Sequence, residues 1–295
     1  MQGLILFVLL CWFGYTVNGK VYDVDYKPAM PLKLNLTEER FAKIKKDLDR
    51  DIEENLIMDT YMKGLKTRNI TDARVMGGTD AVLSEALFFC QIFNFNKDGS
   101  YTICGGAAIA KRFIVSSSHC FNKEDSLQKI KIRIGTTKLG KGGHIGIKKI
   151  ITHNSEDLAL LLTEDEIESG NRIGLSSRAE RLGEIGSFFD TFKQFLGFGI
   201  SGFLNSHVNL PTTLQKTTIV VKGTIGHRPH LFITSGNLME GDSGGAVIWK
   251  EHRKNVIGGI YGGHDQKDNI HFFLRAKDFK TWINDQMAMA LRDEL

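Results

Sequence analysis

Seven residues, Glu240-Gly241-Asp242-Ser243-Gly244-Gly245-Ala246, carry the most specific chemistry in the chain. A serine hydroxyl is a weak nucleophile until an adjacent base takes its proton. Its attack on a carbonyl creates an oxyanion, which needs backbone N–H donors already aimed at it. Gly241 has no Cβ, so its N–H can turn toward such a position beside the N–H of Ser243. Gly244 and Gly245 let the following strand pass close behind. Alone, the motif also fits a glycine-rich turn carrying a solvated Asp and Ser.

The partners such a serine needs occur upstream. His119 ends the run Phe113-Ile114-Val115-Ser116-Ser117-Ser118-His119-Cys120, which follows Cys104-Gly105-Gly106-Ala107-Ala108-Ile109. Free imidazole titrates at about pH 6.5, which suits a group that accepts a serine proton near neutrality. A carboxylate behind it would fix one tautomer and stabilise the imidazolium formed during attack. Glu156-Asp157-Leu158-Ala159-Leu160-Leu161 offers two carboxylates; Asp157 is in register with the apolar strand, and Glu156 competes with it.

Taken together, these segments resemble the trypsin/chymotrypsin-like serine proteases. The order His119, Asp157, Ser243 is that family's, and differs from the subtilisin and α/β-hydrolase orders. Gly197-Phe198-Gly199 resembles the family's Gly-Trp-Gly, Leu214-Gln215-Lys216 fits the strand after it, and Phe279-Lys280-Thr281-Trp282-Ile283 matches the start of its C-terminal helix. The resemblance runs from about residue 74 to 285. It implies two six-stranded antiparallel Greek-key barrels with the active site between them. It also implies a Ser243 nucleophile, His119 base, Asp157 orienting carboxylate and Gly241/Ser243 oxyanion hole. A Cys104–Cys120 disulfide follows from the same likeness, contributing roughly 3 kcal/mol in the chain-entropy model.

Arg74-Val75-Met76-Gly77-Gly78 resembles the family's activation site. Cleavage after Arg74 would free the Val75 α-amino group to pair with Asp242. A buried carboxylate is costly unless paired, so the new ammonium can drive the nucleophile loop into its working shape.

The chain also departs from the pattern. The His-to-Asp spacing, 157 − 119 = 38, is short, which implies a trimmed loop. Ser117-Ser118 replace two alanines, and their hydroxyls need partners if buried. No cysteine follows Cys120, so the pocket disulfides are missing, and Met239 stands where one cysteine would sit. Asn237 stands where an acidic residue would mark cleavage after Lys or Arg; trypsin-like specificity is not supported. Gly258-Gly259-Ile260-Tyr261-Gly262-Gly263-His264 covers the family's Ser-Trp-Gly strand without a unique alignment. That strand normally supports the substrate backbone and solvates the catalytic Asp. His271 and Phe272 narrow the pocket in this reading.

The elements that must position these residues are short strands: Phe88 to Phe95, Ile130 to Ile134, Ile145 to Ile151 and Thr217 to Val221 are apolar or alternating and lie near Gly or Asn turns. Many short strands with few helical windows indicate an all-β sandwich or barrel. Residues 1–19 read as a signal peptide with an apolar run, Leu4 to Tyr15, too short to span a bilayer. In residues 20–74, Phe41, Ile44, Leu48, Ile52 and Leu56 form a helical stripe over about 37–58, opened by Asn35 and Glu38. It is either a helical pro-segment or docking arm, or a helix packed on the main domain. Asn35-Leu36-Thr37 and Asn69-Ile70-Thr71 fit the N-glycosylation pattern.

With 295 residues, 42% of them hydrophobic, the chain holds one large domain or two small ones. Its net charge of +4 is mild and has no Lys/Arg run interleaved with aromatics, which argues against nucleic-acid binding. The four cysteines contain no CxxC pair; with Cys11 in the leader, one disulfide and one free thiol is the simplest accounting. Neither a metal nor another cofactor is called for. The chain ends Arg292-Asp293-Glu294-Leu295, similar to Lys-Asp-Glu-Leu retrieval signals, a resemblance that chance also produces.

The sequence thus predicts a signal peptide (1–19), a helical pro-segment (20–74) and a protease domain (75–295). The expected function is a serine endopeptidase made as a zymogen, acting on a protein or peptide and cut by an activating protease, without stable membrane insertion. It would be secreted or, on the alternative reading, kept in the ER lumen. The alternative function is a protease-fold protein, weakly active or inactive, that binds a partner.

Overall fold

The computed structural model describes residues 14–17, 20–23, 27–28, 32–35, 78–95, 100–121, 126–177, 192–199, 202–204, 207–209, 211–225, 228–235, 238–265 and 270–294. The expected helix at 37–58, Asn69, the activation residues Arg74 and Val75, and Asn237 lie outside them. Two hairpin strands, β1 (Gly14–Val17) and β2 (Lys20–Asp23), straddle the expected cleavage point after residue 19. They are followed by β3 (Lys27–Pro28), β4 (Leu32–Asn35), β5 (Thr79–Asp80) and a one-turn helix, α1 (Leu83–Ala86).

The first barrel contains β6 (Phe89–Phe95), β7 (Ser100–Ala110), β8 (Phe113–Ser116), β9 (Ile130–Ile134), β10 (Gly143–Ile145), β11 (Ile147–Thr152) and β12 (Ala159–Thr163). Its strands lie in the order β10-β9-β6-β7-β8-β12-β11. Only Gly146 separates β10 from β11, so one bent strand joins the two ends of the sheet. After the short β13 (Gly174–Leu175), the second barrel uses β14 (Phe192–Gly197), β17 (Gln215–Ile225), β18 (Arg228–Ser235), β19 (Ala246–Glu251), β20 (Lys254–Asp265) and β21 (Ile270–Arg275). A small hairpin, β15 (Gly202–Leu204) with β16 (His207–Asn209), projects between β14 and β17. Pairing of β20 with both β19 and β21 closes this barrel into a ring of six. The two-barrel expectation therefore matches the structure.

Burial explains why several strands lack clean alternation. Along β12, Ala159 and Leu161 pack into the interior cluster with Ile92, Ile114 and Ile132, while Leu160 and Leu162 join a second cluster. That second cluster also contains Leu196, Phe198 and Ile260 of the other barrel. Both faces of such a strand are dry, so its sequence reads as an apolar run.

The C-terminal helix α2 (Ala276–Arg292) buries Ala276, Phe279, Ile283 and Ala290, at helical spacing, against the shared core. Asp278 in its first turn and Arg292 in its last suit the helix dipole. His153 of the first barrel meets the rings of Phe279 and Trp282 at 5.4 and 4.9 Å. Beyond the helix, Arg112 donates to Glu294, and Lys148 pairs with it at 2.7 Å, tying the C-terminal end to the first barrel. Among the described residues, no helix is long and apolar enough to cross a membrane.

Candidate active site

Strand register brings the histidine and aspartate together. β8 and β12 run antiparallel with Ala159 opposite Ser116. Continuing that register two steps past each strand end sets Asp157 opposite Ser118, beside His119. His119 itself sits on a single 3-10 turn, Ser118–Cys120, held to β7 by the Cys104–Cys120 disulfide. His119 Nδ1 faces Asp157 Oδ2 at 2.6 Å, and the His119 backbone N–H donates to Oδ1 at 2.9 Å. An ionised carboxylate only accepts, so the proton of neutral imidazole lies on Nδ1 and Nε2 keeps its lone pair. Nε2 is buried and has no hydrogen-bond partner. Glu156 faces away, accepting from Arg228 at 2.5 Å and facing His230 Nε2 at 3.1 Å.

The two serines that depart from the family pattern are both satisfied. Ser117 Oγ donates to the Tyr261 carbonyl at 2.6 Å, and Ser118 Oγ donates to Asp157 Oδ1 at 2.8 Å. Asp157 thus receives three donors: the ring and backbone of His119 and the hydroxyl of Ser118. Sequence reasoning asked only whether these hydroxyls had partners. The available signal was the coincidence of a new hydroxyl beside the histidine with the altered Gly258–His264 strand.

The nucleophile loop docks tightly between the barrels. Gly105 N–H donates to the Ser243 carbonyl at 2.7 Å, and Gly244 N–H donates to the Tyr261 carbonyl at 3.0 Å. Gly241 and Gly244 have φ of 93° and 75°, the left-handed region that penalises any Cβ. A Cβ on Gly244 would also collide with the Gly105 carbonyl and the Ser116 hydroxyl. Within the described structure, the N–H groups of Gly241 and Ser243 donate to no carbonyl. Ser243 is 0% exposed, and its hydroxyl has no hydrogen-bond partner.

Asp242 is equally buried. Gly199 N–H donates to its Oδ1 at 2.7 Å and Met239 N–H to its Oδ2 at 3.0 Å. Side chains on Gly197 or Gly199 would run into this carboxylate, which explains the Gly-Phe-Gly sequence on this side of the loop. Burial raises the Asp242 pKa to about 7 despite the two N–H donors. No ion pair reaches Asp242 among the described residues. Behind the loop, Tyr261 Oη and His271 Nδ1 lie 3.1 Å apart, both residues essentially fully buried. Phe272 is buried on the shared core and Phe273 against Tyr261. Cys90 is a buried thiol whose pKa burial pushes up, an inert core residue.

A family model described as Trypsin matches residues 76–283. The chain is 27% identical over 209 residues to venom serine protease 34 of Apis mellifera, covering 61% of this chain and 50% of that protein. It is 23% identical over 235 residues to trypsin Tyr p 3.0101 of Tyrophagus putrescentiae, covering 71% and 79% of the two chains. With cationic trypsin-3 of Rattus norvegicus the identity is 24% over 220 residues, covering 66% and 84%. The chain belongs to the trypsin family of serine proteases.

Proposed function

We propose that the protein is a serine endopeptidase in which Ser243 attacks the substrate carbonyl. His119 Nε2 takes the serine proton and later returns it to the leaving amine. Asp157 orients the imidazole and stabilises its charged form, and the N–H groups of Gly241 and Ser243 receive the oxyanion. The observation that carries this reading is the His119–Asp157 contact at 2.6 Å with Nε2 left unpaired. Ser118, donating to the same carboxylate, is a positioning residue that takes over the hydroxyl role of the altered Gly258–His264 strand.

Synthesis as a zymogen is supported by Asp242. Its carboxylate is buried on two N–H donors without a counter-charge among the described residues. Cleavage after Arg74 by an activating protease would supply the Val75 ammonium as that counter-charge. Asn237 offers no charge to pair with a basic substrate side chain, so cleavage after lysine or arginine is not supported. The leader at 1–19 directs the protein to the secretory pathway for secretion, with retrieval by Arg292–Leu295 to the ER lumen as the alternative.

The test is labelling with a fluorophosphonate probe before and after cleavage at Arg74, with Ser243→Ala as control. Labelling confined to the cut form supports a zymogen with a working nucleophile. The second reading, a protease-fold binding protein, draws on the altered Gly258–His264 strand and the lack of any cysteine after Cys120; absence of labelling in a folded, cut sample would favour it.

A further inference from the structure

Two sheet edges flank the nucleophile, and both are already occupied. On the second barrel, β3 pairs antiparallel with the far end of β20, Pro28 opposite Gly263 and Lys27 opposite His264. Tyr261, two residues before Gly263, exchanges backbone hydrogen bonds with the nucleophile loop: its N–H donates to Gly245 at 2.9 Å and its carbonyl accepts from Gly244. On the first barrel, β4 pairs antiparallel with the start of β7, from Leu32 opposite Ile103 to Asn35 opposite Ser100. Ile103 adjoins Cys104 of the histidine-loop disulfide and lies two residues before Gly105, whose N–H holds the Ser243 carbonyl.

We infer that β3 and β4 are a built-in strand ligand that occupies the substrate cleft, one strand paired with each barrel. An open strand edge is a template for any extended chain, and peptides bind such edges by adding a strand. The protease reading, on which the inhibitory consequence rests, gives these edges to a peptide substrate. Segment and substrate then exclude one another. Only 32 − 28 − 1 = 3 residues connect the two pairings. Four extended steps reach about 14 Å at most, so the two pairings lie within that distance of each other.

Three further observations agree. Ser243 is completely buried with an unpartnered hydroxyl, although a nucleophile for an external substrate must be reachable. Two of the chain's four prolines, Pro28 and Pro31, lie in this stretch; each fixes φ and biases its predecessor toward extended backbone, which lowers the entropy lost on docking. Residues 20–74 contain no cysteine, so after cleavage at Arg74 only non-covalent pairing holds the segment. Activation then has two steps, the cut that frees Val75 and the departure of residues 27–35.

Paired cysteines test the register directly. Opposed residues of an antiparallel pair have Cα atoms about 4.5–5.5 Å apart, within disulfide range. Lys27→Cys with His264→Cys, and separately Lys33→Cys with Thr102→Cys, should cross-link in the full chain, and each single-cysteine variant should not. After cleavage at Arg74 the cross-linked forms should resist fluorophosphonate labelling until mild reduction releases the segment. A fluorescent peptide of residues 25–36 should bind the cut chain saturably. At ten times its Kd it should slow labelling on the order of tenfold. Failure of both pairs to cross-link overturns the proposal whether or not Ser243 labels. Cross-linked chain that labels as fast as reduced chain overturns the inhibitory role. If Ser243 never labels in any form, the protease reading fails instead, and cross-linking with peptide binding still decides whether the segment occupies the cleft.

Discussion

On the proposed reading, the two halves of the catalytic site are in different states of readiness. On the first barrel, His119 and Asp157 are held by strand register, a disulfide and three hydrogen bonds to one carboxylate. On the second, Ser243 is buried without a hydrogen-bond partner, and the neighbouring Asp242 has no counter-charge among the described residues. The base half is complete because everything it needs lies within or beside the β8–β12 pair. On the same reading, the nucleophile half depends on groups that arrive or leave. A precursor built this way needs no rearrangement of its proton-transfer machinery to become active, only a change around one loop.

The largest effects should come from removing the reacting groups in the cut protein. Ser243→Ala and His119→Ala should each lower kcat on the order of 10⁶-fold, and the double variant should be little worse, since the residues act as a unit. Asp157→Asn should cost roughly 10⁴-fold by favouring the wrong tautomer. Steady-state hydrolysis of a peptide substrate checks these values; additive losses in the double variant would show that the halves act separately.

Asp242 separates the halves by pH. In the uncut chain its pKa is raised from 3.8 to about 7, so the folded state binds a proton more readily than the unfolded one. The associated stability is fully present below the unfolded pKa and is lost as pH rises through the folded value. The loss is on the order of 4 kcal/mol, at about 1.4 kcal/mol per pKa unit. Asp242→Asn should remove this slope between about pH 4 and 7, leaving a precursor at least as stable near neutrality. In the cut protein the same substitution should destabilise by roughly 3–5 kcal/mol, because it strands the Val75 ammonium. Denaturant titrations of both forms across that range test the reversal of sign; the same sign in both would end the activation reading.

A smaller effect tests how the base half is wired. Ser118→Ala removes a donor to a charged acceptor, worth about 1.5–3 kcal/mol. It should lower kcat about tenfold or somewhat more while leaving KM unchanged. Ser117→Ala removes a hydroxyl bond that is shorter still, but to the Tyr261 carbonyl; it should lower stability and spare kcat. Equal kcat losses in both variants would mean that Ser118 only supports packing.

The reacting residues were legible because chemistry restricts them: few residue types serve as nucleophile, base and orienting carboxylate, and glycines at φ of 93° and 75° leave a mark in the sequence. The barrels were legible as short apolar strands, although two-sided burial in β12 hid any alternation. Choosing Asp157 over Glu156 rested on strand register, and that register does bring Asp157 to His119. Other features were not legible. The Ser118 hydroxyl could have turned to any nearby acceptor, and the sequence does not say which. Pairing of residues 27–35 with both barrels is a long-range contact of backbone groups, to which side-chain pattern contributes almost nothing beyond two prolines. The helical stripe at 37–58 drew attention to its own neighbourhood, whereas the described contacts of the leading segment come from the unremarkable stretch before it.

The smallest effect belongs to the C-terminal end, where the site comparison meets localisation. Lys148 and then Arg112 hold the Glu294 carboxyl below its ordinary pKa. A depressed folded pKa gives stability that is present above the unfolded value and lost as pH falls through the folded one. Glu294→Gln should therefore lower the denaturation midpoint slightly near pH 7, and the difference should vanish in acid and shrink in high salt. The same contacts oppose retrieval, because a receptor that reads Arg292 to Leu295 must pull Glu294 off Arg112 and Lys148. Arg112→Gln with Lys148→Gln frees Glu294 without touching the tail's sequence, and Lys149→Gln added to them also removes the Asp293 pair at 3.0 Å. If the tetrapeptide is a retrieval signal, this double variant should be retained more completely in cells, and deletion of residues 292–295 should release the protein to the medium. If instead Glu294 serves only to fasten the end of α2 to the first barrel, both changes should leave secretion unchanged and alter stability alone.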